Sequence, residues 1–591
     1  MTAERLAALR RELRQQGVDG FILQRTDQHG SEYLPASEER LAWLTGFSGS
    51  AGQAVVLGER AAVFTDGRYT VQIGQEVDGS RFERCNIADQ SPTEWLEARL
   101  EPGMVLGYDP KLIRKAERQG LARLCRNRGA VLRALEANPV DAVWHGRPPP
   151  PTAPVVALDE KYAGEASAAK RQRIGEEVGK AGADWLLVTA ADSIAWLLNI
   201  RGADVPYNPL CLSHLLLARD GRARWFVDPA KLKGGPFVDA DVAVRADAAL
   251  DAGLDDLAAE GAKVLVDPAA NAVAFADRLS RAGARVIEAK DPIPLAKAKK
   301  NDVEIEGALA AQRRDGAAIV RFLAWLDQQP LDGSRTERDA AAHLHDERAR
   351  DPMFCGPSFE TISAHGPNAA LPHYRVSEAS NRPLTGGTLY LVDSGGQYLD
   401  GTTDITRTVA LGHPSAEMCS RFTLVLKGHI ALSEAVFPEG TAGSQLDLLA
   451  RQFLWRRGLD YDHGTGHGIG SYLCVHEGPQ RLAKRGGDVP LEPGMILSNE
   501  PGYYKPQAYG IRIENLLLVE AAPAPEDGER PLLHFRNLTL APIDRRLIDP
   551  HLLTEPERRW LDAYHARVLE ELSPLLDAPG KAWLQQATAP L

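Results

Sequence analysis

Residues 388–411, TLYLVDSGGQYLDGTTDITRTVAL, contain the clearest folding signal in the chain. Two runs of β-type residues flank a glycine-rich turn, which is the pattern of a β-hairpin. Each predicted strand carries one aspartate, Asp393 and Asp404, so the hairpin brings two carboxylates towards each other. Carboxylates this close repel each other unless a cation lies between them or one is protonated. The plainer interpretation, that both aspartates only favour turns, stays open for the pair taken alone.

A second segment, HGTGHGIG at residues 463–470, combines two histidines with four glycines. Its glycines would let the backbone approach a ligand closely. A dinucleotide-binding fingerprint would need glycine at position 469, which is Ile469, so that interpretation fails. For His463 and His467 taken alone, solvent-facing or structural histidines are the plainer interpretation, and metal ligands are the alternative. Nine residues after His467, the run VHEGP adds His476.

Two further carboxylates occur in apolar, strand-like segments. GMILSNEPGYY, residues 494–504, carries Glu500, and YGIRIENLLLV, residues 509–519, carries Glu514. Strand alternation places Arg512 on the same face as Glu514, for which a surface ion pair is the plainer interpretation. The four carboxylates and one imidazole together form an oxygen-rich donor set suited to two divalent cations. Mn²⁺ is the first expectation, with Co²⁺, Zn²⁺ and Fe²⁺ as alternatives.

The domain organisation follows from length and from two breaks. The 591 residues are too many for one hydrophobic core. NPVDAVWHGRPPPPTAP, with four consecutive prolines, and KDPIPLAKAKKN interrupt regular structure. We therefore predict three domains, at residues 1–140, 141–298 and 299–591. Apolar runs alternate with helical patterns in the first two, which predicts mixed α/β domains of similar architecture.

Helix signals are clearest in the third domain. Asn301 with Glu304 predicts a capping box that opens a long amphipathic helix. Ser444 and Asp447 predict the start of a later helix. A last helix beginning at Thr554 carries an apolar stripe, which must pack against its own domain or against another subunit.

Composition excludes several classes of function. Acidic residues exceed basic ones by 80 to 68, so no extended basic surface is available for nucleic acid. The N-terminal segment lacks the apolar run of a signal peptide, and no stretch of about 20 apolar residues predicts a membrane helix. The six cysteines show no paired C-x-x-C spacing, which argues against a disulfide framework. We expect a cytoplasmic protein that binds neither nucleic acid nor membrane.

Taken together, these segments resemble the pita-bread metallopeptidases, and within them the long, three-domain Xaa-Pro aminopeptidases. The likeness extends through FSGSAG and TDGRY in the first domain and IAWLLNIRGADVPYNP in the second. In the third it includes GLDYDHGTGHGIGSYLCVHEGP and EPGYY. The resemblance implies an α/β (α+β) fold, with two creatinase-N-like mixed α/β domains before a C-terminal pita-bread catalytic domain that ends in a helical extension.

The resemblance also implies an activity and a set of site residues. The activity is hydrolysis of the bond between any N-terminal residue and a penultimate proline, by attack of a metal-bridging hydroxide. Glu500 would be the general base, and Arg512 would orient a ligand carboxylate. His463 and His476 would contact substrate and oxyanion, and His373, in LPHY, would be a gate or proton relay. The five implied metal ligands are Asp393, Asp404, His467, Glu500 and Glu514, with Asp404 and Glu514 bridging.

A homodimer is also implied, in which Arg68 of TDGRY would reach substrate in a neighbouring active site. Three alternatives share the fold. A prolidase cleaves only X-Pro dipeptides, and the long form of this chain argues against it. A creatinase-like C–N hydrolase works without metal, and a non-catalytic pita-bread module only binds peptides or histones. The intact set of carboxylates argues against both of these.

Overall fold

The computed structural model describes residues 2–235, 237–523 and 525–591. The chain divides into two units. The first comprises Met1–Asp159 with Glu165–Ile293, and the second comprises Glu160–Gly164 with Pro294–Leu591. Apart from residues 160–164 and 294–298, the first two predicted domains thus belong to the first unit, and the boundaries at residues 140 and 298 stay predictions.

The first unit contains two six-stranded mixed sheets with the same topology. The spatial order of strands in the first sheet is Glu83–Asn86, Ala61–Thr65, Gln53–Leu57, Gly20–Gln24, Val105–Tyr108 and Val131–Ala134. In the second it is Val242–Ala246, Ala223–Val227, His214–Ala218, Trp185–Val188, Lys263–Val266 and Arg285–Glu288. Across each sheet the pairing runs parallel, antiparallel, antiparallel, parallel, parallel. The two sheets therefore share one strand order and one pattern of pairing.

Helices accompany both sheets of this unit. The first helix buries Leu6, Leu9 and Leu13, because their spacing places them on one face. A short ladder joins Val156–Ala157 to Ile200–Arg201. The α-helices of the unit are Thr2–Gln15, Arg40–Thr45, Thr70–Glu76, Pro92–Glu97, Lys115–Asn127, Pro139–Val143, Ser167–Lys180, Ala191–Leu198, Leu250–Ala259 and Val273–Ala282.

In the second unit, one predicted helix start is confirmed and another is wrong. Asn301 caps the helix Asp302–Asp327, because its side chain accepts from Glu304 N at 2.9 Å and Glu304 accepts from Asn301 N in return. Ser444 does not cap its helix, which begins at Gly443 after Ala442. The remaining α-helices that involve this unit are Glu160–Ala163, Ile293–Ala298, Glu337–Arg348, Ala416–Ser433, Gly443–Trp455, Glu555–Leu572 and Ala578–Ala587.

The described strands of the second unit pair in antiparallel fashion. The largest sheet has the spatial order Val436–Pro438, Leu532–Asn537, Asn515–Ala522, Ile496–Asn499, Gly466–Gly468 and Glu477–Leu482. A three-stranded sheet has the order Ile362–His365, Thr388–Ser394 and Ile405–Leu411, and another has Phe354–Pro357, Gly396–Tyr398 and Gly401–Thr402. Two-stranded ladders join Asp332–Thr336 to Pro383–Thr385 and Gly502–Lys505 to Tyr509–Arg512.

The predicted aspartate hairpin forms, but its connection is more elaborate than a turn. Strands Thr388–Ser394 and Ile405–Leu411 pair so that Asp393 lies opposite Thr406. The residues between them fold into a small hairpin of their own, which belongs to a different sheet. Gly395 allows the two ends of this connection to approach each other closely, since a Cβ at Gly395 would lie 1.9 Å from the carbonyl oxygen of Thr403.

The helix Glu555–Leu572, which was predicted to begin at Thr554, packs into the core of its own unit. Leu561, Tyr564, Val568 and Leu572 are buried there, so the apolar stripe needs no second subunit to cover it. Among the described residues, no helix combines the length and apolar character needed to cross a lipid bilayer.

Candidate metal centre

Four carboxylates and one imidazole converge in the second unit. Asp393 is the penultimate residue of strand Thr388–Ser394 in the three-stranded sheet, and Asp404 directly precedes the neighbouring strand Ile405–Leu411. The other three lie on or beside strands of the six-stranded sheet: His467 within Gly466–Gly468, Glu500 after Ile496–Asn499, and Glu514 before Asn515–Ala522. Residues far apart in sequence are therefore brought together by the edges of two sheets.

The spacing of the donor atoms suits metal binding. One ligand atom from each of Asp404, His467 and Glu514 lies within 4.8 Å of the other two. His467 Nε2 is 3.5 Å from Asp404 Oδ2 and 3.5 Å from Glu500 Oε1. Donors bonded to one cation at about 2.1 Å lie roughly 3–4 Å apart. The two separations of 3.5 Å from His467 fall in this range, so these side chains are spaced to share an ion.

Electrostatics point the same way. Burial, followed by repulsion from the neighbouring carboxylates, holds the pKa values of Asp404 and Glu514 well above their usual range. Burial raises the pKa of Glu500 to about 7, although the charge of Arg512 acts in the opposite direction. Several buried carboxylates beside a single guanidinium leave the cluster short of positive charge. Divalent cations would supply it.

Arg512 organises one side of this cluster. Its Nη2 donates to Asp393 Oδ2 at 2.5 Å, and its Nε donates to Thr406 Oγ1 at 3.1 Å. Thr406 Oγ1 in turn donates to Glu514 Oε2 at 2.7 Å. The other oxygen of Asp393, Oδ1, is buried and meets no hydrogen-bond donor among the described residues. An acceptor in that state is a ready ligand, so the donor set fits a metal centre.

The structure adds Tyr504, which the sequence analysis did not single out. Its hydroxyl accepts from Arg512 Nη1 at 2.6 Å and lies 2.8 Å from His463 Nε2. Burial raises the pKa of Tyr504 to about 12. The hairpin pairs Gly502 with Arg512, which places Tyr504 on the face of Arg512. Predicting that hairpin from GYYKPQAYGIR would have revealed the contact.

Two predicted substrate-contacting histidines lie beside the cluster. The ring of His476 is 4.4 Å from that of His467, in an edge-on arrangement. His463 Nδ1 lies 3.9 Å from Glu500 Oε2. The geometry brings both imidazoles within reach of a group bound at the carboxylates, while their roles stay predictions.

The other two predicted substrate residues have different surroundings. His373 lies half-buried in a turn after the 3₁₀ helix Gly366–Ala370. The next residue, Tyr374, is anchored by donation to Glu337 Oε2 at 2.9 Å. Arg68 belongs to the first unit and donates two hydrogen bonds to Asp66, at 2.9 and 2.7 Å. The gate role of His373 and the substrate role of Arg68 stay predictions.

The glycines of residues 463–470 bring backbone segments together. A Cβ on Gly466 would lie 1.9 Å from the carbonyl oxygen of Ser498. The adjacent Thr465 carbonyl accepts from Glu500 N at 2.8 Å. Close approach of the two strands therefore requires glycine at position 466, and it places His467 next to Glu500.

Comparison with protein families matches nearly every part of the chain. Residues 306–521 match metallopeptidase family M24, and residues 531–591 match the C-terminal region of peptidase M24. Residues 5–136 and residues 146–304 each match a creatinase/prolidase N-terminal domain.

Individual relatives extend the match to full length. A probable Xaa-Pro aminopeptidase P of Botryotinia fuckeliana is 41% identical over 613 residues, which cover 100% of this chain and 93% of the relative. The crystal structure of an X-prolyl aminopeptidase from Caenorhabditis elegans, described as a cytosolic enzyme with a di-nuclear active site, is 35% identical. It superposes with a TM-score of 0.94 over 100% of both chains. An Xaa-Pro dipeptidase from Bacillus anthracis, 25% identical with a TM-score of 0.51, covers 64% of this chain and 99% of its own.

Proposed function

Since the chain belongs to metallopeptidase family M24, among its long Xaa-Pro aminopeptidases, we propose that it removes the first residue from peptides whose second residue is proline. The observation that carries the proposal is the convergence of Asp393, Asp404, His467, Glu500 and Glu514 in one largely buried cluster. A relative retained only for binding would have no need to keep that costly group of charges together.

We propose that these five residues hold two divalent cations, with Mn²⁺ first and Zn²⁺, Co²⁺ or Fe²⁺ as alternatives. When bound, such ions lower the pKa of an attacking water and stabilise the negative charge of the tetrahedral intermediate. The chain's own part is to hold the donors in place. Arg512 fixes Asp393, and Thr406 fixes Glu514.

The remaining groups move protons and stabilise charge. Glu500, whose Oε1 accepts from Ser498 Oγ at 3.1 Å, takes the proton of the attacking water. His463, held through Nε2 by Tyr504, and His476 contact the substrate and the oxygen that becomes negative. The X-Pro bond is a tertiary amide and has no N–H. The proposed catalytic groups of this site act on the carbonyl side, so they do not require that donor.

The dipeptidase alternative is weaker because of chain length. The Xaa-Pro dipeptidase match leaves about a third of this chain uncovered, whereas the aminopeptidase match covers all of it. Hydrolysis of an X-Pro-Y tripeptide beside an X-Pro dipeptide separates the two activities, with metal quantified in the same preparation. We expect tripeptide cleavage that a chelator abolishes and added Mn²⁺ restores. Cleavage of the dipeptide alone would identify a prolidase, and no cleavage by metal-loaded protein would identify a binding module.

We also propose a cytoplasmic homodimer. One face of helix Gly443–Trp455 exposes Leu448 and Trp455, which are 49% and 44% accessible and lie two turns apart. We take these two side chains as the surface on which to test contact with a second copy. Sedimentation of Leu448→Ser against the wild type tests it, with a shift towards monomer expected. The Caenorhabditis elegans neighbour, described as cytosolic, supports the location.

A further inference from the structure

A buried charge cluster on helix Gly443–Trp455 lies behind the histidine loop, and the proposed chemistry does not use it. Asp447 and Arg451 are 2% and 1% exposed and lie one helical turn apart. Arg451 Nε donates to Asp447 Oδ2 at 2.7 Å. We call Asp447, Arg451, Tyr461 and Thr465 the Arg451 cluster.

Arg451 donates hydrogen bonds to the segment 460–463, which ends at His463. Its Nη1 donates to the Tyr461 carbonyl at 2.6 Å and to Asp460 Oδ1 at 2.9 Å. Its Nη2 donates to the carbonyl of His463 itself at 2.8 Å. Only a guanidinium has enough donors, in a fixed plane, to hold these three acceptors together with Asp447.

The same cluster reaches the site by a second route. Asp447 Oδ1 accepts from Thr465 Oγ1 at 2.6 Å, and the hydroxyls of Tyr461 and Thr465 are 2.5 Å apart. The ring of Tyr461 lies 3.8 Å from the guanidinium carbon of Arg451 and 4.8 Å from the ring of His463. The loop is thus held from both ends, with His463 between its two anchors.

Stability alone is a poor reason for this arrangement. Burying an ion pair costs desolvation free energy, and replacing such pairs by apolar residues is often neutral or stabilising. What the pair supplies is geometry, because two bonds of Arg451 fix backbone carbonyls, those of Tyr461 and of His463 itself, and a third holds the side chain of Asp460. The imidazole can then meet Tyr504 at 2.8 Å.

We propose that Arg451 is a positioning residue for His463, acting through the backbone of residues 460–463. The proposal rests on the proposed function only in that His463 must act on the substrate. Without Arg451 the loop would relax, the imidazole would leave its bond to Tyr504, and transition-state stabilisation would fall while metal binding persisted.

The test is a double-mutant cycle on the metal-loaded full-length chain with an X-Pro-Y tripeptide. Arg451→Lys keeps the charge beside Asp447 but loses the planar fork. We expect kcat to fall at least about tenfold with little change in KM, since a misplacement of about 1 Å can cost about 100-fold. In a His463→Ala background the same substitution should cost less than about twofold, because its target is gone. Arg456→Lys, at an exposed arginine directly after the same helix, is the matched control and should change nothing.

Hydrogen exchange at residues 458–466 supplies a readout that does not depend on turnover. Exchange should be several-fold faster in Arg451→Lys and unchanged in Arg456→Lys. Unchanged exchange, or an equal loss of kcat with and without His463, would overturn the proposal. If Arg451→Lys does not fold, Thr465→Val, which removes only the hydroxyl bound to Asp447, takes its place under the same criteria. Failure of the wild type to cleave the tripeptide would refute the proposed function, while the exchange measurement would still report on Arg451.

Discussion

Arg512 donates to Oδ2 of Asp393 at 2.5 Å, while Oδ1 of Asp393 meets no hydrogen-bond donor among the described residues and remains available as a metal ligand. Arg512 is 2% exposed, and its guanidinium also binds Tyr504 and Thr406. One side chain therefore connects a candidate metal ligand to two other parts of the site. Partners that orient a ligand in this way usually matter almost as much as the ligand itself.

Arg512→Met should weaken metal affinity and lower kcat/KM, each by about 10- to 100-fold, because Asp393 loses its orienting donor. Metal affinity would be measured by competition with a chelator of known strength, and activity at saturating Mn²⁺. Arg536→Met, at a side chain 44% exposed, is the control. Wild-type values for both quantities in Arg512→Met would show that Asp393 needs no such support.

Tyr504→Phe should lower kcat by about tenfold or more while leaving metal content unchanged. The substitution removes the hydroxyl that joins His463 to Arg512, and a hydrogen bond to a charged group contributes about 1.5–3 kcal/mol. Tyr503→Phe is the control, since that neighbouring ring packs 6.1 Å from Tyr509 and away from this chain of bonds. Equal kinetics for both variants would contradict the assignment of Tyr504.

Much of the fold could be predicted because its signals are local. The fold class, two creatinase-N-like domains before an M24 domain, is confirmed. The capping box at Asn301 was also predicted from local sequence and is confirmed. The cap prediction at Ser444 is wrong because Ala442 occupies the N-cap position, where the side chain of Gln445 accepts from Ala442 N at 2.8 Å.

The site was harder to predict where contacts cross between sheets. Periodicity placed Arg512 on the face of Glu514, yet its direct carboxylate partner is Asp393, 119 residues away. That pairing depends on how strand Thr388–Ser394 lies against Tyr509–Arg512, which no local pattern encodes. For the same reason the Arg451 cluster could not be predicted from the sequence. Asp447 was predicted to cap a helix, whereas its carboxylate accepts from Thr465 Oγ1.

Metal removal should make stability depend on pH in a defined direction. The pKa of Glu500 in the metal-free protein is raised to about 7 from an ordinary value near 4.5, and those of Asp404 and Glu514 are also raised. A raised carboxyl pKa stabilises the folded state below the ordinary value, and that stability is lost as pH rises through about 7. The unfolding temperature of chelated protein should therefore fall between about pH 5 and pH 8.

Mn²⁺ should remove most of that fall, because bound cations neutralise the carboxylates and compete with protons. Thermal unfolding of chelated and Mn²⁺-loaded protein across the same pH range measures both curves. Since other groups titrate equally in the two forms, their difference isolates the site. Parallel curves would mean that the carboxylates do not share a metal.

Glu500→Gln should separate catalysis from stability by moving them in opposite directions. The amide keeps the shape of the side chain but cannot take a proton, so kcat should fall by about 100- to 10,000-fold. In the metal-free protein the same change removes a buried carboxylate that repels Asp393 and Glu514, so the unfolding temperature at about pH 8 should rise or stay constant.

Asp404→Ala should likewise abolish turnover in a folded chain, and Glu520→Gln, on a partly exposed side chain, should leave activity unchanged. Near-normal kcat in metal-loaded Glu500→Gln would exclude Glu500 as the base, whereas loss of folding in chelated Glu500→Gln would show that its charge is structural.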